Sequence, residues 1–304
     1  MPDITSIFND LSHQHPSLAD ARILGRPGRF GFTVSHGDGT VSKIVLRKPF
    51  EHHQKLSEQE LEKEVSGLRI LGDTNFSRFQ IPRLIGDVVP LDSEQAYAMY
   101  RMTRINGHGA NALPRPLSQS EKLRCFRQAG EALAEFHETA TALPADWIDT
   151  DRGGYVKNRE DIAQVPGLDP AANQALTIAN SYLQENKKGK IIHGDFHIGN
   201  LMIDNGNISG IVDFGRTGPT DNYLNDFNNF IARPEFPHFL RGYESVSGEI
   251  IDPDMIVMTR LHMFARQAVK YEFDEEIYEE ATSEIERYLR SVSHITGHNP
   301  PSMG

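Results

Sequence analysis

Strand-like patterning in this chain stops near residue 103 and helical patterning takes over, with one interruption between 191 and 215. That segregation excludes a fold of alternating βαβ units and predicts an α+β arrangement, a small β-rich part followed by a larger, mainly helical one. Residues 21–47 read as three strands: Ala21 to Leu24, Phe32 to Ser35 after a glycine-bearing loop from Gly25 to Gly31, and Val41 to Arg47. Asp38-Gly39 marks the turn between the last two, and Pro49 ends the ladder because it has no N–H to give. Residues 57–71 read as a helix with Ser57 as N-cap, Gly72 past its end, and Leu61, Val65, Leu68 and Leu71 on one face. Ala96 to Met102 is a further strand, 118–138 a long amphipathic helix, and the remainder after 255 is helical by pattern. A Pro/Gly/Asp-rich connection covers 144–170. The turn near Gly107 is the expected boundary, giving an N-terminal part of 1–103 and a C-terminal part of 104–304.

Composition narrows the function classes. The 304 residues carry a formal net charge of -11, which argues against a sequence-independent nucleic-acid binder and suits a cationic partner. No apolar run is long enough to span a bilayer, and the N-terminal Met1 to Asp10 lacks the basic and apolar regions of a secretory signal. The single cysteine, Cys125, excludes an internal disulfide and a cysteine-rich zinc site. These observations predict a cytoplasmic protein with no membrane partner.

The interruption at 191–215 carries the chemistry. An apolar run, Ile191-Ile192, leads into the polar loop His193-Gly194-Asp195-Phe196-His197-Ile198-Gly199-Asn200, and a second apolar run follows, Leu201-Met202-Ile203. Asp204-Asn205-Gly206-Asn207 is a hairpin turn, and Ile208 to Val212 leads to Asp213-Phe214-Gly215. The pattern brings Asp195, Asn200 and Asp213 to one end of a hairpin. A carboxylate that orients an attacking hydroxyl, beside oxygen ligands for Mg²⁺, is what phosphoryl transfer from a nucleotide needs. The His-x-Asp-x-x-x-x-Asn spacing followed by Asp-Phe-Gly matches the kinase catalytic loop and metal motif. A zinc reading of His193 and His197 fails on Gly194 and Gly199, which make a continuous helix there improbable, and on the lack of a zincin glutamate.

On these residues the chain resembles the aminoglycoside phosphotransferase family, within the wider group that includes choline kinases, over about 20–290. The resemblance implies a bilobal protein-kinase-like fold. It implies that Asp195 is the catalytic base, that Asn200 and Asp213 hold Mg²⁺, and that His193 anchors the loop. The run Gly218 to Phe227 resembles the family's Gly-Asp-Pro-x-x-x-Asp-Leu segment, with Asn222 where proline is usual. That match makes Asp226 an acceptor of catalytic-loop backbone N–H groups.

In kinases a lysine of the third strand reaches the nucleotide phosphates and pairs with a helix glutamate. Lys43, Val45 and Arg47 share one strand face. The resemblance aligns Arg47 with that lysine, with Lys43 and Lys48 as alternatives, and Glu64 with the helix partner. The loop that includes Gly28 would cover the phosphates with backbone N–H groups. Thr103 to Ile105 would meet the purine edge. Met102-Thr103-Arg104-Ile105-Asn106-Gly107 looks closest to the branch that modifies the 2''-hydroxyl of aminoglycosides, whose members use ATP or GTP.

The expectation is a Mg²⁺-dependent O-phosphotransferase acting on a cationic small molecule, an aminoglycoside first, with an antibiotic-resistance role implied. Glu235, Tyr243, Glu244, Tyr271 and Glu272 supply carboxylates and rings suited to a polyamine, with Glu244, Tyr271 and Glu272 the candidates for contact. A kinase of another metabolite (an amino alcohol, sugar or macrolide) and a catalytically silent nucleotide-binding protein are the alternatives.

Overall fold

Five strands, β1 (Arg22–Gly28), β2 (Gly31–Ser35), β3 (Thr40–Leu46), β4 (Leu84–Pro90) and β5 (Tyr97–Thr103), form an antiparallel sheet in the order β1-β2-β3-β5-β4. The computed structural model describes residues 4–28, 31–46, 50–91, 96–143, 170–186, 188–220, 222–270 and 283. The chain divides into two compact units, Met1–Cys125 with His197–Thr217, and Phe126–Phe196 with Gly218–Gly304. The boundary expected near Gly107 falls inside the first of these.

The first unit is the β-rich one. One face of its sheet buries Phe32, Val34, Ile44 and Met99 with Leu11 of α1 (Ile4–Gln14) and Leu18. Gly28 pairs with Gly31, so the stretch read as a glycine loop is largely the continuation of β1 and the start of β2. Gly31 is required there: a Cβ would overlap the Ile44 carbonyl of the neighbouring strand. Across the sheet, β2 leads into β3 through Asp38-Gly39, with Gly39 at φ 80 and Asp38 accepting from the Thr40 N–H and hydroxyl.

Helix α2 (Phe50–Leu71) begins seven residues before the expected Ser57 cap. Ser57 sits within Gln54-Lys55-Leu56 and Glu58-Gln59-Glu60, strong helix formers that carry the helix across one serine. The predicted apolar face is buried at Leu61, Val65, Leu68 and Leu71.

Strands β8 (Leu201–Asp204) and β9 (Asn207–Ile211) form the expected hairpin, joined by Asn205 and Gly206 at φ 49 and 73, the two positive values of a type I′ turn. Strand β6 (His108–Gly109) pairs with β8, and Gln80 exchanges backbone bonds with Ser209 and Ile211, both 2.9 Å. These bonds tie the hairpin to the β-rich unit although it lies a hundred residues downstream. The Gly206 carbonyl at the hairpin tip accepts from Arg124 Nε and Nη2 at 3.1 and 2.9 Å.

The second unit is mainly helical. It takes most of α3 (Gln119–Thr141), then α4 (Pro170–Glu185), β7 (Lys190–Ile192), β10 (Gly218–Thr220), α5 (Asn228–Ile231), α6 (Phe236–Ser247) and α7 (Pro253–Lys270). A capping box starts α3: Ser118 Oγ accepts the Glu121 N–H while Glu121 accepts the Ser118 N–H at 2.8 Å. Helices α3 and α6 meet backbone to backbone at two glycines. A Cβ on Gly130 would overlap the Phe239 carbonyl, and one on Gly242 would overlap the Arg127 carbonyl. Around this crossing Phe196, Phe227, Phe230, Phe239 and Tyr243 form a fully buried aromatic core. Among the described residues no helix is long and apolar enough to cross a membrane.

Candidate active site

The first unit assembles one polar cluster. Lys43 stands opposite Tyr100 in the β3–β5 register, on a strand pair that buries Ile44 to the other side. Its ammonium donates to Glu64 Oε2 at 2.6 Å and to Asp213 Oδ1 at 2.9 Å. Glu64 comes from the buried face of α2 and Asp213 from the turn after β9, so three distant segments meet at one nitrogen. Burial works against the Lys43 charge, but the Glu64 and Asp213 carboxylates outweigh it and hold the ammonium above the ordinary lysine value. Burial pushes the Glu64 carboxyl up, with Lys43 pulling the other way. The partner of Glu64 is thus Lys43, the alternative to Arg47; Arg47 and Lys48 lie outside the described residues.

Asp213 adopts φ 70, the left-handed region that a non-glycine residue enters at a cost of about 1–3 kcal/mol. The strain is held in place from both sides. Phe214 next to it is fully buried and lies against Gly67 of α2, and the Val212 N–H donates to the Asn200 carbonyl at 3.0 Å. That bond joins the two ends of the hairpin, so Asn200 and Asp213 are neighbours across it. Their side chains offer an amide oxygen and a carboxylate, the hard oxygen donors that Mg²⁺ takes, usually with phosphate and water completing the shell. Among the described residues no group of three or more His, Cys, Asp or Glu is placed to hold a metal. His197 uses its Nδ1 to accept the Gly199 N–H at 2.9 Å, capping the short 3-10 turn Ile198–Asn200.

The second unit assembles the other cluster. Asp226, buried in the 3-10 turn Tyr223–Phe227, accepts the His193 N–H on Oδ2 and the Gly194 N–H on Oδ1, both at 2.8 Å. Gly194 has φ 81, a conformation that only glycine enters freely, and this is what lets two successive N–H groups converge on one carboxylate. The His193 ring is buried between Phe136 and Phe196, and its Nδ1 accepts the Asp195 N–H at 3.3 Å. Asn229 donates to the Phe196 carbonyl at 3.0 Å. The backbone on both sides of Asp195 is therefore fixed, while the Asp195 side chain remains partly exposed. Asn222, where the resemblance led one to expect proline, caps the same turn: its Oδ1 accepts the Leu224 N–H, and its Nδ2 donates to Thr259 at 2.9 Å.

Sequence reasoning missed His137. It donates or accepts at both ring nitrogens, 3.1 Å from Asp226 Oδ2 and 3.0 Å from the Tyr243 hydroxyl. The signal was present: Phe126, Gly130, Leu133 and His137 recur at helical spacing, so a titratable ring falls on the buried stripe of α3.

The remaining candidates are placed differently from expectation or not described. The Thr103 N–H donates to the Arg83 carbonyl at 2.9 Å and its hydroxyl accepts from the Arg83 N–H, so this amide is committed to the sheet. Ile105 is buried. Tyr243 belongs to the aromatic core, not to a surface that could meet a polyamine. Glu244 turns back on its own segment, accepting the Ile251 N–H at 3.0 Å beyond the end of α6. Tyr271 and Glu272 lie outside the described residues.

Comparison with solved structures gives the fold a relative. The streptomycin–ATP ternary complex of APH(2'')-IIa superposes with TM-score 0.61 at 17% identity, covering 94% of this chain and 97% of that one. A ternary complex of the aminoglycoside phosphotransferase APH(4)-Ia with ADP and hygromycin B gives 0.62 at 16%, covering 94% and 98%. ADP-bound APH(2'')-Ib gives 0.58 at 15%, covering 93% and 97%. At such identities the likeness establishes a kinase-like α+β fold. No curated protein matches the chain. The sequence profile of the phosphotransferase enzyme family does, over residues 25–253, a span that takes in Lys43, Glu64, Asp195, Asn200, Asp213 and Asp226 alike. With three quarters of its length under that profile and the fold to match, the chain belongs to the APH phosphotransferase enzyme family.

Proposed function

We propose that this family member moves the γ-phosphoryl group of ATP or GTP to a hydroxyl of a cationic small molecule, an aminoglycoside before other acceptors. The observation that carries the reading is the Lys43 ammonium held between Glu64 and Asp213. A half-buried strand lysine fixed by a helix carboxylate is a prepared counter-charge for nucleotide phosphates, and its second partner is the residue that would take the metal. Lys43 therefore assumes the phosphate-binding role first assigned to Arg47.

Asp195 is the group that orients the acceptor hydroxyl and takes its proton, in a loop whose backbone Asp226 and His193 hold still. Holding the reacting hydroxyl in line is where much of the acceleration in phosphoryl transfer originates. Asn200 and Asp213 would hold Mg²⁺, which when bound neutralises charge developing on the phosphate oxygens. The strained backbone of Asp213 keeps its carboxylate at the Lys43 ammonium. Gly28 and the segment ending at Ile105 remain the proposed contacts for phosphate and purine, with the Thr103 amide engaged elsewhere.

The choice of an aminoglycoside rests on two supports. Kinase-like neighbours were solved with streptomycin, gentamicin and hygromycin B, and the net charge of -11 favours a polyamine. A nucleotide-consumption assay with ATP and GTP, run across aminoglycosides, amino alcohols, sugars and macrolides, tests it. Turnover that depends on an aminoglycoside supports the reading. Turnover confined to another acceptor class replaces the substrate, and none with any acceptor removes the transfer reaction.

A further inference from the structure

Beside Lys43 lies a buried polar group with no part in the reaction as assigned, the hydroxyl of Tyr100. Tyr100 stands directly opposite Lys43 in the β3–β5 ladder, so both side chains leave the sheet on the same face. It is among the largest side chains in the protein with no exposure to solvent. Its hydroxyl lies beside the Glu64 carboxylate, yet it makes no hydrogen bond of full geometry among the described residues. Burial, and then the negative charge of Glu64, hold the phenol well above the ordinary tyrosine value, so it keeps its proton to donate. A buried hydroxyl without a bond is destabilising, and phenylalanine would fill the same space without it.

The three charges around this hydroxyl are unequally buried. The Lys43 ammonium is shared between Glu64 and Asp213, whose side chains are 5% and 45% exposed. Asp213 is thus the partner that solvent reaches, whereas Glu64 depends on donors from the protein. Burial pushes the Glu64 carboxyl up, and Lys43 and the Tyr100 hydroxyl pull it down. When the Lys43 ammonium turns toward nucleotide phosphates, Glu64 has to share its cation at a depth where water cannot replace the lost bond. The Tyr100 O–H is the donor already in place on the same face of the sheet.

We propose that Tyr100 is a positioning residue for nucleotide binding: its hydroxyl closes onto Glu64 as Lys43 turns to the phosphates, and keeps Glu64 in place as the anchor of that lysine. The inference rests on the reading of Lys43 as the phosphate counter-charge.

The test is Tyr100→Phe, which keeps the ring and removes the hydroxyl, with Glu64→Met, the double variant and Lys43→Met beside it. Dissociation constants for ATP and GTP with Mg²⁺ are taken by calorimetric titration, which needs no acceptor, and thermal midpoints are read without nucleotide. Y100F should melt at or above the wild-type midpoint, because an unbonded buried hydroxyl has been removed. Its nucleotide affinity should nevertheless fall by about tenfold. In the E64M background the hydroxyl has no carboxylate to meet, so adding Y100F should change affinity by less than about twofold. Wild-type affinity in Y100F, with K43M weakened, overturns this inference alone. Wild-type affinity in K43M overturns the phosphate role of Lys43 and this inference with it. A Y100F protein that melts below the wild type assigns the hydroxyl to stability and also overturns the proposal, as does a full loss on adding Y100F to E64M. Should E64M fail to fold, the midpoint and affinity of Y100F decide.

Discussion

Lys43 balances two carboxylates, and the sequence could not single it out. Alternation places Lys43 and Arg47 on the same strand face, and the resemblance favoured Arg47 because the run Val45-Leu46-Arg47-Lys48-Pro49 aligns it with the family's lysine. What separates them is a contact between segments far apart in the chain, Glu64 on α2 and Asp213 after β9, which no local spacing encodes. Replacing Lys43 by Met removes the counter-charge and should lower kcat/KM for the nucleotide by about a hundredfold, read from steady-state rates at varied nucleotide. His137 makes a prediction about stability. Burial, opposed by Asp226, holds its ring below the ordinary histidine value of 6.5. The unfolded chain therefore binds a proton that the folded one resists as pH falls through that value, and stability declines on the acid side. Thermal midpoints measured from about pH 8 down to about pH 5.5 should fall less steeply in His137→Gln than in the wild type. His36, also lowered by burial, contributes equally to both proteins and cancels in the comparison.

Elements were legible where turn chemistry is local. Asp38-Gly39 and Asn205-Gly206 stand in the predicted hairpin turns, each with the positive φ that the glycine supplies. The start of α2 was misplaced because Ser57, a residue type that caps helices, lies within a run of strong helix formers and the helix continues through it back to Phe50. The helical unit was legible as helices but not as a packing arrangement: nothing in the patterns marks Gly130 and Gly242 as the place where α3 and α6 touch. Gly130→Ala should cost about 1–3 kcal/mol, or more if the helices cannot separate, because the added methyl meets a carbonyl rather than a flexible side chain. A urea midpoint measures it, and Gly242→Ala should cost a similar amount. Because α3 and α6 also carry His137 and Tyr243, both variants should weaken protection of the His193 amide.

At the scale of the whole chain, the order of strand and helix patterns sufficed for the fold class, and the 193–215 motif for the family. The acceptor was not legible for a physical reason. Phosphoryl transfer imposes a fixed set of oxygens and cations on the chain, whereas recognition of a small molecule is spread over side chains with no common spacing. Two of the residues suggested for that task show this: Tyr243 is core and Glu244 braces its own turn. The catalytic assignment is the central claim, and the Asp195→Ala variant tests it most directly, with turnover and nucleotide affinity measured on the same preparation. Asp195 is partly exposed and the loop around it is held by other groups, so the variant should fold and bind nucleotide with affinity within about threefold of the wild type. Its kcat should drop by a factor on the order of a thousand or more. A variant that retains full turnover would contradict the account.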